Sequence, residues 1–174
     1  MEELDSEGLQ SRLAPPVSLT AEHDLSGFDC GEPALNDWLR QRALKNESRF
    51  SRTYVVCQGN HVVAYYSISA GAVERAASPG KVRRNAPDTI PVSVIGRLAV
   101  SRDHAGKGLG ADLLSDALRR IAIASQSIGI GAVLVHAKDD DARRFYTRCA
   151  EFIEYPADSR TMFLPIDAVL AALR

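Results

Sequence analysis

A chain of 174 residues with 45% hydrophobic and 25% charged residues has the make-up of an ordinary globular domain, long enough to build a core without disulfides or metal. Its net charge of −1 argues against a general nucleic-acid binder, and three scattered cysteines, Cys30, Cys57 and Cys149, fit reduced thiols in a cytosol. No run of ~18 apolar residues is present, and the acidic start Met1-Glu2-Glu3-Leu4-Asp5 lacks a signal peptide's basic region, so a cytoplasmic chain with no membrane association is expected.

The near-neutral total hides an uneven distribution. Residues 1–8 carry Glu2, Glu3, Asp5 and Glu7 with no base. Residues 40–52 carry Arg40, Arg42, Lys45, Arg49 and Arg52 against Glu47 alone, and Lys81, Arg83 and Arg84 form a second basic knot. A basic face can exist under such a total. Each cluster taken alone reads more simply as solvated surface.

In chain order, residues 1–16 are polar and end in Pro15-Pro16, which reads as a tail before a single domain, 17–174. Val17 to Thr20 reads as a short strand. Pro33 suits a first helical turn, and Leu35, Trp38, Leu39 and Ala43 then recur at helical spacing, predicting an amphipathic helix. Arg52 to Gln58 and His61 to Ser69, joined by Gly59-Asn60, read as an antiparallel hairpin. Gly71 to Pro91 reads as a loop with room for a short helix. Pro91 to Val100 is the central strand, with Gly96 suggesting a bulge or a close backbone approach.

Three glycines at alternate positions follow that strand: Gly106, Gly108 and Gly110. A helical stripe from Ala111 to Ile123 follows them. A strand, a glycine-rich turn and a helix in succession make a place to hold phosphate, because the first amides of the helix lack internal partners and carry partial positive charge. Lys107 is a possible second phosphate contact, and His104 lies beside the turn. The spacing is neither a P-loop nor a Rossmann fingerprint. Beyond it, Val133 to Val135 is a short strand, with His136 read as a core histidine. Asp139, Asp140 and Asp141 lead into a helix carrying Phe145 and Tyr146. Glu151 to Tyr155 and Arg160 to Leu164 close as strands, and Asp167 to Leu173 as a last helix. The order implies an α/β (α+β) fold with a mixed, mostly antiparallel sheet, splayed after the central strand, and helices on both faces.

Ala105-Gly106-Lys107-Gly108-Leu109-Gly110 resembles the pyrophosphate loop, Gln/Arg-x-x-Gly-x-Gly/Ala, of the GNAT superfamily of acetyl-CoA-dependent N-acetyltransferases. Ala105 departs from the usual Gln or Arg and removes one side-chain contact. Further short motifs are together similar to the GNAT toxins of bacterial toxin–antitoxin pairs: Phe28-Asp29-Cys30-Gly31, Trp38-Leu39, Arg52-Thr53-Tyr54-Val55, Tyr65-Tyr66-Ser67, Gly96-Arg97-Leu98-Ala99-Val100, Val135-His136-Ala137-Lys138 and Phe145-Tyr146. Cys149-Ala150-Glu151-Phe152 departs from the aromatic-Gly-Phe usual there.

That resemblance implies a GNAT fold, acetyl-CoA as acetyl donor with no metal, and the α-amine of aminoacyl-tRNA as acceptor. It implies Tyr146 as general acid. It implies cofactor binding by Leu98, Ala99, Val100, Ala105, Gly106, Lys107, Gly108, Leu109, Gly110, Ala111, Asp139 and Phe145, although Asp139 reads equally well as a helix cap and Phe145 as packing. It also implies a homodimer and a cognate ribbon-helix-helix antitoxin. The candidates for tRNA contact are Arg40, Arg42, Lys45, Arg49, Arg52, Arg83, Arg84 and Arg97, the last equally readable as a structural ion-pair partner. No side chain stands out as a general base. An α-amine with a pKa of ~7.7–8.0 needs less help than a lysine near ~10.4, which mildly favours an α-amine acceptor. The alternatives are a GNAT acting on a small amine or a protein N-terminus, and a CoA-binding regulatory partner.

Overall fold

The computed structural model describes residues 13–173. Most of the expected tail and all its acidic residues lie outside that range. The strands are β1 (Val17–Ser18), β2 (Arg52–Gln58), β3 (His61–Glu74), β4 (Thr89–Val100), β5 (Ala132–His136), β6 (Ile153–Glu154) and β7 (Thr161–Pro165). They form one sheet in the order β1-β2-β3-β4-β5-β7-β6. β4 and β5 are the parallel pair, whereas β1–β2, β5–β7 and β6–β7 are antiparallel. The β4–β5 register runs from Val92↔Ala132 to Ile95↔Val135 and stops there, short of the end of β4. Mixed pairing with the break after the middle of β4 is the architecture expected from the order of elements.

The helices are α1 (Pro33–Trp38), α2 (Gly80–Arg83), α3 (Leu109–Ala124), α4 (Asp140–Cys149) and α5 (Ile166–Ala172). α1 continues through a π-helical segment, Leu39–Ala43, into a last turn, Leu44–Asn46. Such a segment widens the helix by one residue per turn, a feature with no mark in the apolar spacing.

The chain divides into two compact units. One comprises Met1–Ser67 and Arg97–Leu113. Its core holds Leu19, Phe28, Leu39, Ala43, Val55, Cys57, Val62, Tyr65 and Ala99, with Leu25, Cys30, Leu35 and Trp38 packed against it. The Tyr65 ring is fully buried and meets Phe28 edge-on at 5.5 Å and Trp38 stacked at 6.0 Å. Its hydroxyl donates to the Leu35 carbonyl at 2.7 Å, so α1 is fixed to β3 by both packing and a hydrogen bond. Leu39 and Ala43, the expected apolar face, are fully buried.

The other unit comprises Ile68–Gly96 and Leu114–Arg174, with Val82, Ile90, Val92, Ala132 and Phe163 at one core. Here β3 runs past the expected Ser69 and takes the first four residues of the expected loop, 71–74, while the short helix that the loop had room for is α2. Gly71 is a strand residue, and a Cβ there would lie 2.9 Å from Val94 Cγ2. The glycine answers to a close neighbour, not to a turn. Arg75 then closes the connection, its guanidinium binding Asp88 at 3.2 Å and the Ala86 carbonyl at 3.2 Å. β4 starts at Thr89, before the expected Pro91, and runs on without interruption through Gly96.

Candidate active site

The glycine turn hangs from a fixed point. Ser101 is buried, and its amide donates to Val63 O at 2.8 Å. The Arg102 amide donates to Asp29 O at 2.9 Å. A 3₁₀ turn, Arg102–His104, follows, and the Ser101 hydroxyl lies 3.0 Å from His104 Nδ1. That pairing occupies one nitrogen of His104, the side chain expected beside the turn.

From Ala105 to Gly108 every residue is exposed. Gly106 has φ +75° and Gly108 φ +82°, conformations that cost other L-residues about 1–2 kcal/mol. A Cβ at either would meet nothing within 4 Å. The backbone demands glycine there and the interior does not. Leu109 is buried and anchors the start of α3. The Asp112 amide is the donor to Gly108 O at 3.2 Å, so the amides of Leu109, Gly110 and Ala111 precede the helical ladder. These amides, with the open turn beside them, suit an anionic group. Lys107 is exposed within the turn. In β4, Ala99 is buried in the core, while Leu98 and Val100 are half-buried and, by strand alternation, point to the opposite face.

Tyr146 lies in the other unit, on α4. Asp139 caps that helix, its carboxylate accepting from the Ala142 amide at 2.8 Å, and Asp140 and Asp141 complement the helix dipole in the first turn. Of the two roles open to Asp139, capping is the one seen. Tyr146 is 8% exposed, with Phe145 edge-on at 5.2 Å and Phe152 edge-on at 5.5 Å. Burial, and secondarily Cys149, push its phenol up to about 12. At neutral pH this group holds its proton and can give it, but is a poor base. Among the described residues its hydroxyl has no hydrogen-bond partner. His136 is exposed at the end of β5, its Nδ1 3.2 Å from Thr161 Oγ1, and not the core histidine expected, because the strand ends there.

The basic candidates separate by what already holds them. Arg40 donates to Phe28 O at 2.8 Å, and Arg52 donates to the carbonyl of Glu47. Arg97 lies over the Trp38 ring, its Cζ 4.0 Å from the centroid. Among the described residues no carboxylate pairs with it, so the ion-pair alternative gives way to a cation–π contact. Burial shifts the Arg97 pKa down. Arg42, Lys45 and Arg49 are exposed, as are Arg83 and Arg84 in the other unit.

One group of residues escaped the sequence reading: Asp29, Asn36 and Arg102. The Asp29 carboxylate accepts from the Gly31 amide at 2.9 Å and from Asn36 Nδ2 at 3.0 Å, and stands 3.8 Å from Arg102 Nε. Asn36 is buried, and its Oδ1 accepts from the Cys30 amide at 2.9 Å. An Asp two residues before a Gly is a local signal for such a turn. The reach to Arg102 has none. Among the described residues there is no group of three or more His, Cys, Asp or Glu side chains placed to hold a metal, and no helix is long and apolar enough to cross a membrane.

Comparison with known proteins gives this geometry a family. The acetyltransferase (GNAT) family model matches residues 18–152. A protein of Mycobacterium tuberculosis (strain ATCC 25618 / H37Rv) named tRNA-acetylating toxin is 46% identical over 137 residues, covering 78% of this chain and 82% of its own. Among solved structures, a tyrosine-to-phenylalanine mutant of KacT superposes with a TM-score of 0.87 at 28% identity, covering 92% of this chain and 99% of its own. AtaT complexed with acetyl-methionyl-tRNAfMet superposes with a TM-score of 0.85 at 31% identity, covering 94% and 100%. A model match over most of the chain, a relative of nearly half its sequence, and the seven-stranded sheet with one parallel pair agree: the chain belongs to the GNAT family of acetyltransferases.

Proposed function

We propose that this enzyme transfers the acetyl group of acetyl-CoA to the α-amine of an aminoacyl-tRNA, and so blocks translation as the toxin of a toxin–antitoxin pair. The observation that carries this reading is the 46% identity to the tRNA-acetylating toxin, over 78% of the chain. AtaT, similar over 94% of the chain, is solved with acetyl-methionyl-tRNAfMet, and AtaT is also solved with the C-terminus of an antitoxin and acetyl-CoA.

The exposed turn Ala105–Gly108 and the amides that open α3 hold the pyrophosphate of CoA. The backbone N–H groups near Leu98–Val100 polarise the thioester carbonyl, which sharpens its response to an amine. The chemistry is a direct displacement: the amine nitrogen bonds to the acetyl carbon, the carbon–sulfur bond breaks, and the amine's extra proton passes to solvent. Tyr146 gives its proton to the leaving thiolate and regains one from solvent; burial keeps the phenol protonated until then, at the cost of making it a weaker acid. Asp139, by capping α4, fixes the start of the helix that carries Tyr146. Phe145 packs beside it.

Arg42, Lys45 and Arg49, exposed and not bound to backbone, are the first candidates for tRNA phosphates; Arg83 and Arg84 are the second. A single acetyltransferase domain over 17–174, a homodimer, and a ribbon-helix-helix antitoxin complete the reading, with the cytoplasm as its place of action.

Incubation of the chain with labelled acetyl-CoA and either charged or deacylated tRNA tests it. Label enters only the charged tRNA and is released with the amino acid on mild alkaline hydrolysis of the ester. Equal labelling of both tRNAs refutes the α-amine acceptor. Labelling of a small amine or a protein N-terminus, with none on charged tRNA, assigns the enzyme to another branch of the family.

A further inference from the structure

The turn before α1 and the entry to the glycine turn are far apart in sequence and are joined through one residue, Asp29. Asp29 meets Arg102 twice. Its carbonyl accepts from the Arg102 amide at 2.9 Å, and its carboxylate stands 3.8 Å from Arg102 Nε. The other carboxylate oxygen accepts from the Gly31 amide at 2.9 Å and from Asn36 Nδ2 at 3.0 Å. Asn36 in turn is buried and accepts from the Cys30 amide, so the turn cannot rotate away. The guanidinium of Arg102 lies against Gly31, where a Cβ would come within 3.1 Å of Nε. From Arg102 the chain makes one 3₁₀ turn, the Ala105 amide donating back to Arg102 O at 3.3 Å, and then enters Gly106.

The glycines themselves supply no rigidity. Gly106 and Gly108 are exposed, and a Cβ on either would meet nothing within 4 Å. Their placement comes from the residues on either side: Leu109, buried, after them, and Ser101 with Arg102 before them. We infer that Asp29 is a positioning residue for the glycine turn, holding Arg102 so that the turn's backbone amides are set for a pyrophosphate before it arrives. This role rests on the reading of the turn as the CoA site. Pre-setting a loop lowers the ordering cost of binding and leaves the chemical step alone. The carboxylate is held in its charged form chiefly by the Gly31 amide and then by Asn36, with Arg102 a smaller influence, so it stays an anion throughout the working pH range.

The test uses the full chain with Asp29→Asn, Arg102→Gln and the double variant. Asn at 29 keeps an oxygen for the Gly31 amide and for Asn36, and loses only the charge. CoA is the probe in calorimetry, and acetyl-CoA with charged tRNA in kinetics. An exposed ion pair predicts that Kd for CoA and KM for acetyl-CoA rise about two- to fivefold in each single variant. The kcat and the KM for the RNA stay as in the wild type. The double variant is no worse than the poorer single one, because both remove the same contact. Unchanged Kd and KM in the single variants overturn the role, and so do additive losses or a loss confined to kcat. Should Asp29→Asn fail to fold, Arg102→Gln, at an exposed side chain, decides alone. Failure of the wild-type chain to bind CoA overturns the reading of the turn itself. CoA binding by the wild type with no change in the variants overturns only the role of Asp29.

Discussion

Replacing Tyr146 by Phe removes one oxygen and separates chemistry from structure. The ring's packing is with Phe145 and Phe152, at 5.2 and 5.5 Å, and both contacts survive in Phe. Among the described residues the hydroxyl has no hydrogen-bond partner, so no buried group is orphaned by its loss. The stability change should fall within about 0.5 kcal/mol, a shift of roughly 1–2 °C in Tm for a chain of this size. The chemical loss should be far larger. General acid catalysis contributes roughly 10²–10⁴-fold, so kcat should fall about 100-fold or more, equivalent to ~2.7 kcal/mol or more in the barrier. Calorimetry with CoA should show unchanged affinity, since the turn around Gly106 is untouched. The pH profile adds a second constraint. With the phenol pushed up to about 12, the wild-type rate should rise as the acceptor amine loses its proton and then hold level past pH 9. A loss in kcat under about tenfold would refute the acid role, whereas a descending limb near pH 9 in the wild type that vanishes in the variant would keep that role and refute only the raised pKa. A large fall in Tm would show that the hydroxyl serves the fold.

Three further outcomes follow from the same geometry. Gly131→Ala places a Cβ 2.8 Å from Ile90 Cγ2, at a buried side chain, and 3.4 Å from Pro91 O; overpacking of this kind should cost about 1–3 kcal/mol, read as a lower denaturant midpoint with unchanged slope. Asp139→Ala removes the cap of α4 and should cost about 1 kcal/mol while lowering kcat more than it raises the KM for acetyl-CoA, because it loosens the helix that bears Tyr146. Stability should fall as pH rises from 10 towards 12. There the unfolded chain releases tyrosine protons that the folded chain keeps on Tyr146 and Tyr65, both pushed up by burial, so the unfolded state binds fewer protons. Tm measured from pH 8 to 11 checks this, and the slope should be shallower in Tyr146→Phe.

Local chemistry made much of this legible. Pro33 and the spacing of Leu35, Trp38 and Leu39 marked α1, and Asp139 to Asp141 marked the start of α4, because capping and periodicity act within a few residues. What was missed depends on neighbours distant in sequence. The last four residues of β3, 71–74, read as part of a loop because the stretch to Pro91 holds Pro79, Gly80, Pro87 and Pro91, yet Gly71 lies close against Val94. His136 was placed in a core because Val133 to Val135 is apolar, yet β5 ends at it and leaves it exposed. Arg97 read as a tRNA contact or an ion-pair residue, and its guanidinium lies over the Trp38 ring. For Gly71 and Arg97 the deciding atom belongs to another element.

The glycines sort by the same criterion, and the sorting bears on the site. Gly71 and Gly131 are crowded: an added Cβ would press on Val94 or Ile90, so the protein's own interior accounts for them. Gly106 and Gly108 are not crowded at all, and their positive φ accounts for them only if that conformation serves something. A turn that exposes four successive residues, is fixed at both ends by buried or bonded residues, and, among the described residues, leaves the amides of Gly106, Lys107 and Gly108 out of the backbone bonding suits a partner outside the chain. This also fixes what Ala105 changes. The missing long side chain removes one contact to a phosphate, while the amides beyond it depend on Gly106, Gly108 and the anchored start of α3. Restoring Arg at 105 should therefore tighten CoA by no more than a charged hydrogen bond, about 1.5–3 kcal/mol, whereas Gly108→Ala, which strains the turn itself, should weaken CoA binding with little effect on Tm.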